Sequence, residues 1–117
     1  MSEQDQVFDT VARYFALLSD PTRLRIMHAV CDGERSVGEI VERTGGSQTN
    51  ISRNLNLMHE RGALARRKVG SLVLYRVADQ ALIEMCRNVC QRVTEARRGT
   101  DPANGDLGDL GALPGFG

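Results

Sequence analysis

The segment from residue 47 to residue 61 carries side chains that can recognise the edges of base pairs. Apolar residues recur in it at helical spacing, at Ile51, Leu55 and Met58, so the polar side chains between them fall on another face of the same helix. In the major groove, asparagine and glutamine amides can pair with adenine, and arginine can pair with guanine. The candidate DNA-binding residues of this helix are Ser47, Gln48, Thr49, Asn50, Ser52, Arg53 and Asn54.

A cluster of basic residues follows this helix. Seven basic residues but a single acidic one, Glu60, lie between positions 43 and 76, although the formal net charge of the chain is zero. Charge that is segregated in this way indicates a local anion-binding surface. Contacts to phosphates position a protein on DNA, whereas contacts to bases specify the sequence. The candidate residues for contacts to the flanking DNA backbone or the minor groove are Arg66, Arg67 and Lys68.

The other chemically active side chains are three thiols, Cys31, Cys86 and Cys90. A spacing of four places the last two on one helical face with Cβ atoms about 5–6 Å apart, which exceeds the ~3.5–4.5 Å of a disulfide. Both can instead ligate a thiophilic ion, and Cys31 can add a third thiolate if its helix packs against theirs. Such a site suits a soft metal or metalloid ion such as arsenite, cadmium or lead.

Two alternatives for the cysteines stay open at this point. Cys31 and Cys90 can form a redox pair that is oxidised to a disulfide or bridged by sulfur, which would make the chain a redox or persulfide sensor. All three can also be packing residues, because free cysteine is among the most buried residue types. The chain would then act without a ligand, and no cofactor is obligatory.

The helices that position these groups are predicted from apolar periodicity and capping residues. A first helix is predicted from about Gln6 to Leu18. A second helix opens at Asp20, which can cap it, followed by Pro21 in its first turn, and ends near Gly33.

A helix-turn-helix is predicted after the second helix. Ser36 and Glu39 have the spacing of a capping box and open a short third helix. Gly45-Gly46 ends that helix, and Ser47 caps the fourth, which runs to about Arg61. Two short helices joined by a tight glycine-containing turn are typical of a helix-turn-helix.

The apolar period changes after the fourth helix. Residues 64–69 and 72–77 are predicted as two strands of a hairpin with a two-residue turn at Gly70-Ser71. A last helix follows from about Asp79 to Arg97. The predicted fold is mainly α with a β-hairpin wing: a dimeric winged helix-turn-helix with four helices, two strands and a fifth helix.

The first and last helices are expected to pack against each other, either within one subunit or across a homodimer interface. The last helix repeats apolar residues in steps of four and three, a seam that needs a partner surface, and the first helix offers an apolar stripe. The candidate interface residues are Val7, Val11, Phe15, Leu82, Val89 and Val93.

Residues 1–98 are expected to form one DNA-binding and dimerisation domain. Residues 99–117 are expected to be a disordered tail, because they are rich in glycine and aspartate. No secretion signal and no apolar run of ~18 residues is visible, so we expect a cytoplasmic protein without a membrane partner. The sequence shows no nucleophile–base pair, no paired carboxylates and no glycine-rich phosphate loop, so we do not expect an enzyme.

Four segments resemble the ArsR/SmtB family of bacterial repressors: residues 18–26 (LSDPTRLRI), 36–40 (SVGEI), 47–55 (SQTNISRNL) and 68–77 (KVGSLVLYRV). The resemblance covers residues 6–97. It implies a dimer that represses transcription from a pseudo-palindromic double-stranded operator until a metal ion or thiol-reactive inducer acts on it. By position, it also implies that the base-reading residues are Gln48, Thr49, Ser52 and Arg53.

The sequence departs from two sensing sites of that family. The cysteines of the arsenic-type site are replaced here by Ser36 and Gly38. The zinc-type site on the last helix needs aspartate and histidine ligands, and here Asp79 is followed by no histidine. The chain instead resembles the members that carry cysteines on the second and last helices.

Overall fold

The computed structural model describes residues 2–99, which form five helices and three strands. The predicted mainly helical fold with a β-hairpin wing is confirmed. The predicted tail lies outside the described residues, apart from Gly99. The elements are α1 (Glu3–Leu17), α2 (Pro21–Val30), β1 (Arg35–Ser36), α3 (Val37–Thr44), α4 (Gln48–Glu60), β2 (Leu64–Val69), β3 (Leu72–Val77) and α5 (Gln80–Arg98).

The predicted helix starts rest on side-chain caps. The carboxylate of Asp20 accepts a hydrogen bond from the Arg23 amide at 3.1 Å. Ser36 and Glu39 form the full capping box, with the serine Oγ 3.2 Å from the Glu39 amide and the glutamate Oε1 3.1 Å from the Ser36 amide. The start of α1 differs from the prediction: it begins three residues early because the Ser2 hydroxyl caps it.

The turn between α3 and α4 depends on two glycines for different reasons. Gly45 ends α3 in the left-handed conformation, with φ of 73°, and its amide donates to the Val41 carbonyl. Such a backbone strains residues that have a Cβ atom. Gly46 instead makes a close approach, because a Cβ atom on it would lie 2.9 Å from Cδ1 of Ile51. The turn can therefore be this tight only without a side chain at position 46.

The sheet contains a strand that sequence analysis missed. The order is β1-β3-β2, all antiparallel, with Arg35 opposite Tyr75 and Ser36 opposite Leu74. The predicted hairpin of β2 and β3, here called the wing (residues 64–77), is confirmed, with register from Leu64–Val77 to Val69–Leu72. Two residues are too short for an alternating apolar pattern, so β1 left no sequence signal.

The chain divides within α5 into two compact units, one ending at Ile83 and the other beginning at Glu84. The first unit contains the buried core. None of the described helices is both long and apolar enough to cross a lipid bilayer. The core residues are Leu17, Ile26, Met27, Ala29, Val30, Ile40, Ile51, Leu55, Met58, Ala63, Leu64, Tyr75, Leu82 and Ile83.

The apolar stripe of α1 faces away from this core. Leu17 is the one buried residue of α1, whereas Val7, Phe8, Val11 and Phe15 are 40–60% exposed. Among the interface candidates on the last helix, Leu82 is 1% exposed and lies in the core instead, because it packs within its own subunit. We therefore leave it out of the proposed interface. Val89 is 46% exposed and Val93 is half-buried.

We expect Gly46→Ala to lower the free energy of unfolding by about 1–3 kcal/mol, because the added methyl group overpacks against the buried Ile51. Adding Ile51→Val removes the contacting Cδ1 atom, so the double variant should lose less than the sum of the two single losses. Chemical denaturation measures all four states of the cycle.

Gly38→Ala is the matched control, since Gly38 is exposed in the first turn of α3 and its added Cβ would have ordinary contacts. It should be neutral or stabilise the protein by up to about 1 kcal/mol. A Gly46→Ala variant as stable as the parent would contradict the packing argument, as would strict additivity in the cycle.

Candidate DNA-binding surface and thiol groups

The core fixes the orientation of α4. Its apolar side chains Ile51, Leu55 and Met58 are fully buried, so the opposite side of the helix must face outward. Thr49, Arg53 and Asn56 are exposed there, Gln48 is exposed in the first turn of the helix, and Asn50, Ser52 and Asn54 are half-buried. Ser47 caps the helix by accepting a hydrogen bond from the Asn50 amide at 3.2 Å.

The exposed polar residues of α4 differ from the half-buried ones in whether their side chains are hydrogen-bonded within the subunit. Within residues 2–99, the side chains of Gln48, Thr49 and Arg53 make no hydrogen bond or ion pair, so their donors and acceptors are available to a ligand. These three residues are called the polar face of α4 below. Hydrogen-bonding groups held in this way on a rigid helix suit recognition of base edges.

Asn54, in contrast, is engaged inside the subunit. Its Nδ2 donates to the Asn50 carbonyl at 2.9 Å, and its Oδ1 lies 3.5 Å from Nη1 of Arg23. The Arg23 guanidinium also donates to the Leu17 carbonyl at 2.6 Å and to the Ala16 carbonyl at 3.2 Å. Arg23 thus links the end of α1 to α4. Sequence analysis missed it because its partner on α4 lies 31 residues away.

The three consecutive basic residues of the wing, here called the basic triplet (Arg66, Arg67 and Lys68), lie on two different faces of the sheet. Side chains alternate along a strand, so Arg66 and Lys68 share one face and Arg67 lies on the other. Nη1 of Arg66 donates to Asn56 Oδ1 at 3.2 Å, which ties the strand to α4. Lys68 is exposed and makes no hydrogen bond or ion pair within the described chain.

Arg67 is paired with a carboxylate that sequence analysis did not single out. Its Nε and Nη2 donate to Oε2 and Oε1 of Glu34 at 2.8 and 2.7 Å. The hydrogen bonds from Arg67 lower the pKa of Glu34 below its ordinary value of 4.5. Burial partly opposes this shift, and the positive charges of Arg67 and Arg76 add to it. The carboxylate is therefore ionised at neutral pH, and the pair is lost only as pH falls through that lowered pKa.

Cys31 lies at the end of α2, as the sequence predicted. It caps the C-terminus of the helix, is half-buried and packs against the core. Its thiol donates to the His28 carbonyl at 3.1 Å. This environment is that of a partly accessible thiol at the edge of the hydrophobic interior.

The two cysteines of α5 differ in accessibility. Cys86 is half-buried and Cys90 is exposed. Burial raises the pKa of Cys86, and the negative charge of a Cys90 thiolate raises it further. Within residues 2–99 of a single chain, no group of three or more histidine, cysteine, aspartate or glutamate side chains is arranged to hold a metal ion.

Sequence comparison places the chain among bacterial regulators. The profile described as "Bacterial regulatory protein, arsR family" matches residues 20–64. The chain is 37% identical over 83 residues to a probable mercury resistance operon repressor from Streptomyces lividans. That match covers 67% of this chain and 66% of the relative, so it leaves about a third of the relative's length unmatched.

Solved structures show the same fold. One is the homodimeric winged helix-turn-helix DNA-binding domain of a possible ArsR-family regulator from Mycobacterium bovis, with a TM-score of 0.71 and 28% identity over 81% of this chain and 88% of that one. A crystal structure of a fragment of a possible transcriptional regulatory protein from Mycobacterium bovis is 31% identical and has a TM-score of 0.65. The match covers 76% of this chain and 95% of that one. The antimony-specific repressor AntR has a TM-score of 0.70 and 26% identity over 75% and 80%.

The chain belongs to the ArsR family of bacterial regulatory proteins. Its relatives are DNA-binding transcription regulators and not enzymes. The helix-turn-helix formed by α3 and α4 and the wing are the two parts of a winged helix-turn-helix, as the resemblance implied.

We expect iodoacetamide to alkylate Cys90 severalfold faster than Cys86 near neutral pH. The exposed thiol is accessible, whereas burial shields Cys86 and its raised pKa lowers its thiolate fraction. Peptide mass spectrometry of a labelling time course measures both rates, and the unfolded chain, in which the two rates should converge, is the control. Faster labelling of Cys86 in the folded protein would contradict this description.

Proposed function

We propose that a homodimer of this chain represses transcription by binding a pseudo-palindromic operator, and that a soft metal or metalloid ion acting on its cysteines releases the DNA. The proposal that the protein binds an operator rests on the polar face of α4. Its three side chains point outward from a helix that is fixed in the core, with no partner in the described part of the subunit.

The proposed complex places α4 in the major groove. Gln48 and Arg53 then pair with base edges, and Thr49 and Ser52 contribute shorter contacts. Ser47 and Asn50 lie at the same helix end, and the wing adds phosphate or minor-groove contacts through Lys68 and Arg66. Asn54 acts by holding α4 in place, since its amide is already used inside the subunit.

The dimer is supported by exposed apolar surface. Val7, Val11 and Phe15 are exposed on α1. On α5, Val89 is exposed, and Val93, four residues later, is half-buried. Exposed apolar residues on a helix face are characteristic of protein interfaces, and the related Mycobacterium bovis domain is homodimeric. Two copies of α4 related by a two-fold axis would bind half-sites about one helical turn apart, which predicts the palindrome.

The thiols support the choice of inducer. Cys86 and Cys90 share one helical face, and Cys31 is a further accessible thiol. Thiolates select soft ions, and two relatives are named for mercury and antimony. Because no three-ligand group occurs within the described single chain, we propose that the ion is held by the α5 pair and completed by a ligand brought in by rearrangement or by the second subunit. Binding displaces the thiol protons.

The DNA-binding proposal is tested by selecting duplexes from a random library and measuring affinity for the selected duplex against salt. We expect a palindrome and a steep salt dependence. Arg53→Ala should reduce discrimination against substituted duplexes, by about 1–3 kcal/mol at the base it contacts. Lys68→Ala should instead weaken binding to all duplexes and lower the salt slope by about 1.8, since the dimer loses one phosphate contact in each subunit.

Arg25→Ala is the matched control, since Arg25 is an exposed arginine of α2 that makes no hydrogen bond or ion pair within residues 2–99. It should leave the sequence preference unchanged. If the parent protein selects no sequence, or if its binding does not depend on salt, the repressor proposal is wrong.

The inducer is tested by adding arsenite, cadmium, hydrogen peroxide and polysulfide in turn to the protein–DNA complex. We expect the first two to release the DNA and to leave a bound arsenic or cadmium ion in the native mass spectrum. Cys86→Ser and Cys90→Ser should each abolish that response, whereas Ser71→Ala on the wing should retain it.

A response to peroxide or polysulfide alone, with loss of two hydrogens or gain of sulfur, would replace the metal proposal with the redox pair of Cys31 and Cys90. If every Cys→Ser variant responds like the parent, the cysteines are packing residues.

A further inference from the structure

The Glu34–Arg67 pair joins two segments that are far apart in sequence. Glu34 directly precedes β1 at one edge of the sheet, and Arg67 lies on β2 at the other edge, with β3 between them. Both guanidinium nitrogens that face the carboxylate donate to it, at 2.7 and 2.8 Å. Such a two-bond arrangement fixes the orientation of both groups and not only their distance.

Arg67 lies at the position where the pairing of β3 with the third strand, β1, ends. β1 pairs with Tyr75 and Leu74, and Leu74 is the residue opposite Arg67. Beyond this point the hairpin pairs only with itself, from Lys68 opposite Val73 to the turn. An isolated two-stranded hairpin is only marginally stable in water. Val73 of this outer part still packs against the core, and the ion pair adds a polar contact at the base of the part that has no third strand.

We infer that Glu34 is a positioning residue for DNA binding: through Arg67 it fixes the orientation of the wing tip that carries Lys68, and Arg67 itself is not a phosphate ligand. The inference rests on the proposed function. It divides the triplet predicted as one backbone-binding cluster, because Arg67 lies on the opposite face of the strand from Arg66 and Lys68.

The alternative is that DNA phosphates compete with Glu34 for Arg67. Three features favour the positioning role. Glu34 is the more enclosed partner, with 27% of its side chain exposed against 58% for Arg67. Arg76 adds a second positive charge near the carboxylate. Arg67 is also the one residue of the triplet whose guanidinium is bound to a carboxylate in the described chain.

The two roles give opposite results for Glu34→Gln. If Arg67 is a positioning group, Glu34→Gln and Arg67→Met should each weaken binding to the selected duplex about three- to tenfold, and the double variant should be no worse than either. The salt slope should stay unchanged in Arg67→Met, whereas Lys68→Met, which removes one phosphate contact from each subunit of the dimer, should lower it by about 1.8. Fluorescence anisotropy against salt measures affinity and slope together.

The charge-swapped variant Glu34→Arg with Arg67→Glu separates the roles further. It restores an ion pair while placing a carboxylate at position 67, although a guanidinium then lies near Arg76. A positioning role therefore predicts that the swapped variant binds more tightly than Glu34→Arg alone or Arg67→Glu alone. Glu42→Gln is the control for loss of one negative charge, since Glu42 is exposed on α3 and makes no hydrogen bond or ion pair within residues 2–99.

Tighter binding by Glu34→Gln than by Glu42→Gln would overturn the inference, because it would mean that the freed Arg67 contacts phosphate. A lower salt slope in Arg67→Met, or a charge-swapped variant that binds no more tightly than either single charge-reversed variant, would also overturn it. These outcomes leave the proposed function intact, which fails separately if the parent protein selects no palindrome.

Discussion

The burial of one side of α4 is the constraint on which the rest of the surface depends. Ile51, Leu55 and Met58 are each 0% exposed, so the rotation of the helix about its axis is fixed by close packing in the core. The absence of a side chain at Gly46 lets the chain enter α4 directly beside Ile51. The outward direction of the polar face of α4 follows from these two contacts and not from any interaction of the polar residues themselves.

The base of the wing lies in the core through Leu64 and Tyr75, and polar contacts add to its positioning. Arg66 ties it to Asn56 of α4, and Arg67 ties it to Glu34 at the far edge of the sheet. Both are exposed interactions, which individually contribute little to the stability of a fold. Their consequence is geometric: they orient a short hairpin whose outer half has no third strand, and the free ammonium group of Lys68 lies on that outer half.

Features set by neighbouring residues could be predicted from the sequence, and features set by distant residues could not. The capping box of Ser36 and Glu39 and the turn at Gly45 each need only a few adjacent residues, and both are confirmed. The partners Glu34 and Arg67 lie 33 residues apart, so their pairing depends on the tertiary fold. Periodicity identifies the stripe on α1 as apolar but cannot distinguish a core contact from a subunit contact. The structure leaves Val7, Val11 and Phe15 exposed and buries Leu82 in the core.

We expect α4 to present its polar face to a duplex while the wing contacts the neighbouring DNA backbone. A crystal structure of the protein bound to a duplex that it has selected would show both contacts. We expect α4 in the major groove, Arg53 within hydrogen-bond distance of a base edge, and the Lys68 ammonium at a phosphate. A complex in which the polar face of α4 is turned toward the second subunit, with the DNA held elsewhere, would contradict this expectation.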